Sequence, residues 1–162
     1  VQKNKGYLRS FFAMLILSSL GLTGCMLIPE SFLPDHKIQL NVRSSAALNP
    51  DEAGNPNPLT IKVYELTSPD AFEEIDFIPL FKNPKEVLGK DMVGQEQIIQ
   101  IRPNYKLAIR FTAKRETKYL GVVAAYQNIQ NAEWRLLIPL KSNWGSESKW
   151  IRANKLSIVQ EN

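Results

Sequence analysis

From Lys37 to Arg43 the chain alternates strictly, with Ile38, Leu40 and Val42 on one side and Lys37, Gln39, Asn41 and Arg43 on the other. A period of two is the signature of a strand with one face buried. The alternation returns over 59–66 through Leu59, Ile61 and Val63, and over 105–113 through Tyr105, Leu107, Ile109, Phe111 and Ala113. Residues 97–102 read as the partner of 105–113 in a hairpin that turns at Pro103 and Asn104. Residues 119–126 lack polar alternation, which predicts a central strand covered on both faces. Over 133–141, Trp134, Leu136, Ile138 and Leu140 share a face, and Pro139, which has no N–H to offer a neighbour, places that strand at an edge. Residues 142–153 read as a loose segment holding Trp144 and Trp150, followed by a last strand around 156–159.

Between the second and third strands the period changes. Ser68, Pro69 and Asp70 supply an N-cap, a proline at the first helical position and an acid in the first turn, so a short helix is expected to about Ile75. Phe72, Phe77, Leu80 and Phe81 are the face of this segment that docks on the sheet, and Gly89 after Leu88 ends a further helical turn. The acids Asp70, Glu73, Glu74 and Asp76 read as a solvated first turn that complements the helix dipole. Ile38, Leu40, Val42, Ile61, Val63, Leu107, Ile109, Phe111, Trp134, Leu136 and Ile138 should form one core. The pattern predicts an all-β, two-sheet sandwich of about seven strands, joined mostly by hairpins and carrying one short helical insertion. The connection over 46–58 is rich in Asn, Pro and Gly and too long for a tight hairpin. Surface loops of this kind often carry function.

The N-terminus follows a different logic. Residues 1–10 are basic and polar, and 11–22 form an apolar run, the layout of a signal peptide. As a helix that run would rise only about 18 Å, too short for a hydrocarbon core of ~30 Å. Leu22, Thr23, Gly24 and Cys25 follow, and this tetrapeptide resembles the lipobox of bacterial lipoproteins, which is cut before a Cys whose sulfur then carries lipid. Met26, rather than Asp, follows the Cys, which such a resemblance associates with the outer membrane. The expected organisation is a signal peptide over 1–24 that is removed, a lipidated Cys25 and tether over 25–35, and a sandwich over 36–162. Lys3, Lys5 and Arg9 account for most of the +4 formal charge, so the remainder of the chain is nearly neutral.

Composition removes several kinds of chemistry. With one Cys and one His, neither an internal disulfide nor a Cys/His zinc cluster can form. Gly89 and Lys90 are followed by Asp91, without the earlier glycine that a phosphate-cradling loop needs. His36, at the junction of tether and first strand, reads as an exposed linker residue rather than a catalytic base. Lys114, Arg115 and Lys118 sit beside Glu116 on a turn, which does not make a stripe for nucleic acid. No enzyme activity, metal, cofactor or nucleic-acid partner is expected. An envelope lipoprotein that binds a small ligand or inhibits an enzyme would share the signal, the sandwich and the loops.

Read in order, one series of residues resembles the type VI secretion outer-membrane lipoproteins of the TssJ (SciN-like) family. The series is Leu48, Asn49, Pro50 and Asp51; Gly54, Asn55, Pro56, Asn57 and Pro58; Val63 to Leu66; Phe72; Asp76, Phe77 and Leu80; Leu88 to Asp91; Arg102 and Pro103; Tyr119 to Ala124; and Glu133 to Arg135. It covers about 37–141, with Asn55 standing where the family pattern has Arg, and little after Lys141 matches. The resemblance implies a transthyretin-like sandwich held by Cys25 acyl chains on the outer membrane and facing the periplasm. It also implies a partner, the periplasmic C-terminal region of the inner-membrane IcmF-like component (TssM), bound through the first loop. In this chain the residues concerned are Leu48, Asn49, Pro50, Asp51, Gly54, Asn55, Pro56 and Asn57.

Overall fold

A computed structural model describes residues 35–141 and 144–161. Cys25, the apolar run and most of the tether lie outside the described residues. The strands are β1 (His36–Ser44), β2 (Leu59–Leu66), β3 (Met92–Ile101), β4 (Lys106–Ala113), β5 (Tyr119–Ala124), β6 (Arg135–Pro139), β7 (Gly145–Ala153) and β8 (Ile158–Glu161). They form two four-stranded sheets, ordered β4-β1-β7-β8 and β3-β2-β5-β6. The all-β sandwich expected from the alternation is therefore present, with eight strands instead of seven. Ile38, Leu40, Val42, Leu59, Ile61, Val63, Leu120 and Ile138 are buried between the sheets, because each lies on the inward side of a period-two run.

Three local expectations are corrected. The segment over 142–153 contains β7, which pairs parallel to β1 from His36–Gly145 through Ser44–Ala153. Its first half departs from a normal half-buried strand, with Glu147 and Lys149 turned inward and Trp150 outward, while Ile151 and Ala153 return apolar residues to the inward side. Strands β3 and β4 do not form a hairpin: β3 pairs with β2 and β4 with β1, so Pro103 and Asn104 turn the chain from one sheet to the other. Asn104 makes that corner with a φ of +52°. His36 is not an exposed linker residue but the first residue of β1, 1% exposed, with Nε2 4.0 Å from Glu147 Oε2. Glu147 Oε1 pairs at 2.7 Å with Lys149 Nζ, which donates to the Pro139 carbonyl at 2.7 Å. A buried charge pair of this kind is tolerable because both charges are matched and hydrogen-bonded.

The expected helical insertion is present as three short helices, α1 (Asp70–Glu74), α2 (Phe77–Lys82) and α3 (Pro84–Leu88). The N-cap of α1 is Pro69, one residue later than expected, while Ser68 Oγ donates to Asp70 Oδ2. Phe72, Leu80 and Leu88 pack on Tyr64, Leu66 and Val123, making a second apolar layer on the outer face of the β3-β2-β5-β6 sheet. This covers β5 on both faces, which explains its unbroken apolar run. Arg135 on β6 donates to the carbonyls of Glu73 and Ile75 at the end of α1. Burial lowers the Arg135 pKa, while Asp76 and Glu73 act in the opposite direction.

The helices can dock closely because β5 has no side chain at Gly121. A Cβ there would lie 2.7 Å from Phe72 and 2.8 Å from Leu66. Gly121→Ala should therefore cost about 2 kcal/mol through overpacking. Thermal melting should show a fall of several degrees, and an unchanged midpoint would mean that α1 is not seated on β5 as described.

Candidate functional site

The connection between β1 and β2 crosses from one sheet to the other at one end of the sandwich. The β5–β6 segment and the β7–β8 turn meet it there, because β1 and β7 run parallel and β5 runs antiparallel to β2. The sequence separations involved are large, so only the strand register could bring these loops together.

The base of the first loop is rigid. Leu48 is fully buried in the core, and Asn49 is 3% exposed with a φ of +46°. Asn49 Nδ2 donates to the Pro58 carbonyl at 2.8 Å, and its Oδ1 accepts the Gln127 N–H at 2.8 Å. Its own N–H reaches the Lys155 carbonyl at 3.1 Å, so one residue fastens all three loops. Leu48 and Asn49 therefore hold the loop from beneath. The resemblance places both among the partner-binding residues, but here both side chains are already committed inside the domain.

The tip is organised around Asp51. Its N–H and carbonyl bond the Asn55 carbonyl and the Gly54 N–H, each at 3.0 Å, while Oδ1 accepts the Asn55 N–H at 2.8 Å. Asn55 Nδ2 donates to Asp51 Oδ2 at 3.1 Å, and Asn57 Nδ2 donates to the Asn55 carbonyl at 2.8 Å. Gly54 closes this turn with a φ of +85°, which a side chain would strain. The Asn55 backbone N–H, followed by its side-chain amide, holds the Asp51 carboxyl below its usual 3.8. Because the folded-state pKa is depressed, the contribution of Asp51 is present above that value and is lost as pH falls through the lower one. Glu52, Ala53, Gly54, Asn55 and Pro56 are left facing solvent, with Pro50, Asp51 and Asn57 half-covered.

A groove of about 730 Å³ runs beside the tip, with Asp51 and Glu52 on one wall and Gln127, Gln130 and Lys155 on the other. The Tyr126 hydroxyl donates at 2.7 Å to the Ser157 carbonyl, tying the two other loops together, and burial raises its pKa. Glu52, Gln127, Gln130 and Lys155 were not legible as site residues, since nothing local distinguishes them from ordinary polar loop residues. His36 lies at the opposite end of β1. Among the described residues, no three of His, Cys, Asp and Glu gather closely enough to hold a metal ion. No described helix is long and apolar enough to cross a membrane. The arrangement is a preordered, mainly polar surface.

A family model described as Type VI secretion lipoprotein, VasD, EvfM, TssJ matches residues 36–158. No curated protein matches the chain. Among solved structures, it is similar to the type VI secretion lipoprotein TssJ1 from Pseudomonas aeruginosa, with 28% identity and a TM-score of 0.72, over 80% of this chain and 98% of that one. It is also similar to Serratia marcescens Lip, described as a membrane-bound component of the type VI secretion system. There the identity is 23% and the TM-score 0.72, over 80% of this chain and 98% of that one. A chain in a structure described as the TssM C-terminal domain from EAEC shares the fold at 18% identity and a TM-score of 0.67, over 78% of this chain and 98% of that one.

Proposed function

The chain belongs to the type VI secretion lipoprotein family that includes TssJ, and from that premise we propose that it ties the outer membrane to the periplasmic C-terminal region of the inner-membrane component TssM. The family is a structural one and not a known enzyme family, and its fold is the transthyretin-like sandwich seen here. In this reading Cys25 carries the acyl chains, residues 26–35 span the distance to the domain, and the sandwich faces the periplasm and passes the hold to its partner.

The observation that carries the partner assignment is the preordering of the first loop. Its turn is closed by its own hydrogen bonds and its base is fixed by Asn49. A loop ordered before binding loses less entropy when it binds. The contact surface assigned to it is Pro50, Asp51, Gly54, Asn55, Pro56 and Asn57, together with Glu52. Leu48 and Asn49 are their support.

Exchanging residues 50–57 for a Gly/Ser segment of equal length leaves that support in place. In the acyl-free chain, 26–162, stability should change by less than about 1 kcal/mol, as is usual for surface loops. Titration calorimetry against the TssM C-terminal domain should show affinity weakened by at least about thirtyfold, the loss that follows removal of an interface hot spot. Unchanged affinity in a folded variant would place the interface elsewhere.

A further inference from the structure

The two outer faces of the sandwich carry opposite charge. On the β4-β1-β7-β8 sheet, the strand register puts Lys37, Arg43, Lys106, Arg110 and Arg152 on the outward side, with Glu161 as the one acid among the described residues there. The opposite face is covered by the helical insertion. Over 70–91 that layer has six acids, Asp70, Glu73, Glu74, Asp76, Glu86 and Asp91, against three lysines, and Lys62 and Arg135 of the sheet beneath bond to its carbonyls, so an excess of acid remains but a small one. The near-neutral total therefore conceals a domain polarised across its thickness. Glu161 does not cancel the cationic face, since it sits at one margin between Arg152 at 2.5 Å and Arg43 at 3.6 Å.

Two further features fit this face to one kind of surface. Trp150 stands out from it, 41% exposed, beneath the Arg43 guanidinium at 5.1 Å from the ring centroid. An aromatic ring with a polar edge suits the boundary between headgroups and water. Beside it lies a depression of about 480 Å³ lined by Lys37, Arg110, Thr112, Ser146 and Ser148, with Glu147, already paired with Lys149, also in its wall. Two cations and three hydroxyls match the donors that a phosphodiester accepts from.

We propose that this cationic sheet face docks on an anionic phospholipid surface, with a headgroup phosphate in the Lys37–Arg110 depression. The inference goes beyond the bridging role, though it rests on the same acylation at Cys25. Ten residues, 26–35, separate Cys25 from β1, a strand inside this sheet, so an acylated Cys25 keeps the sheet within roughly 35 Å of the bilayer. The acidic helical layer then faces away, where an anionic surface repels it least. Docking would fix the orientation of the domain, which attachment at a single acylated residue alone does not.

The test uses the mature acylated chain in phosphatidylcholine vesicles, with and without phosphatidylglycerol. A fluorophore is placed at Ala108→Cys on the cationic face, or at Glu74→Cys on the helical layer, and quenched by a headgroup nitroxide. Residue 108 should be quenched only when phosphatidylglycerol is present and released in about 1 M salt, where the screening length falls to ~3 Å. Residue 74 should remain unquenched throughout. Lys37→Gln with Arg110→Gln should lower the docked-to-undocked ratio about thirtyfold, near fivefold per cation. Equal quenching at 108 in both vesicles, or shielding there only after the TssM domain is added, overturns the proposal and in the second case assigns the face to protein. A chain that floats with neither vesicle refutes the acyl anchor and the lipid face together, whereas a floated chain with residue 108 unshielded refutes the face alone.

Discussion

Replacing Cys25 by Ser should remove the protein from the outer-membrane fraction and abolish incorporation of a fatty-acid analogue. The expected effect is large because acyl anchoring is cumulative. Each buried methylene contributes about 0.8 kcal/mol, so one chain holds reversibly and a second adds roughly 10 kcal/mol more. Serine offers no thiol for the modification, and Cys25 is the only cysteine in the sequence. The 11–22 run is too short to replace the anchor as a stable span. Because position 25 precedes the sandwich, the melting temperature of the domain should not move. A Cys25→Ser protein expressed at normal level that still fractionates with the outer membrane and still labels would disprove the lipidation site.

The second large effect is expected at Asn49. Its side chain satisfies the Pro58 carbonyl and the Gln127 N–H, and its backbone occupies the left-handed region with a φ of +46°. Asn49→Ala removes the side-chain partner of two partly covered backbone groups, at about 1 kcal/mol each. It also puts a poorly suited residue in that conformation, at a further ~1 kcal/mol. The total, about 3 kcal/mol, is a large part of the stability of an ordinary domain. Asn49→Gly relieves the backbone but not the lost bonds, so it should fall about 1 kcal/mol short of the alanine effect. Asn49→Asp keeps the acceptor for Gln127 and loses the donor to Pro58, which should place it between alanine and wild type. Urea unfolding would report all three. An alanine variant within about 1 kcal/mol of wild type would show that the loop base is not held as described.

Comparison of β1 with β7 shows what the alternation could reveal. Ile38, Leu40 and Val42 announce a half-buried strand because each inward residue is apolar and each outward one polar. Strand β7 obeys the same geometry with different chemistry over its first half, its inward Glu147 and Lys149 neutralising each other and Lys149 donating a hydrogen bond to the Pro139 carbonyl. That compensation comes from a partner two positions along and an acceptor ten positions back, and a periodicity in hydropathy cannot register it. The corner at Asn104 differs from the expected hairpin for a related reason. Its residues specify a turn, but which neighbour each flanking strand pairs with is decided by the other strands. Phe111 shows a smaller version of the same limit, since it points inward as expected yet is only half-covered because β4 is an edge strand.

The sequence by itself determined the two-layer β class, the helical insertion, the lipobox-like tetrapeptide and the family to which the first loop points, because these depend on local periodicity and short ordered motifs. Tertiary structure alone decided that Leu48 and Asn49 face inward while Glu52, Gln127, Gln130 and Lys155 surround one groove. It also separated the charges, placing Lys37, Arg43, Lys106, Arg110 and Arg152 on one face and the acids of the helical layer on the other. A near-neutral composition cannot distinguish a mixed surface from a polarised one. The difference lies in strand order, since pairing β1 with β4 on one side and β7 on the other gathers cations that are up to 115 residues apart in the chain.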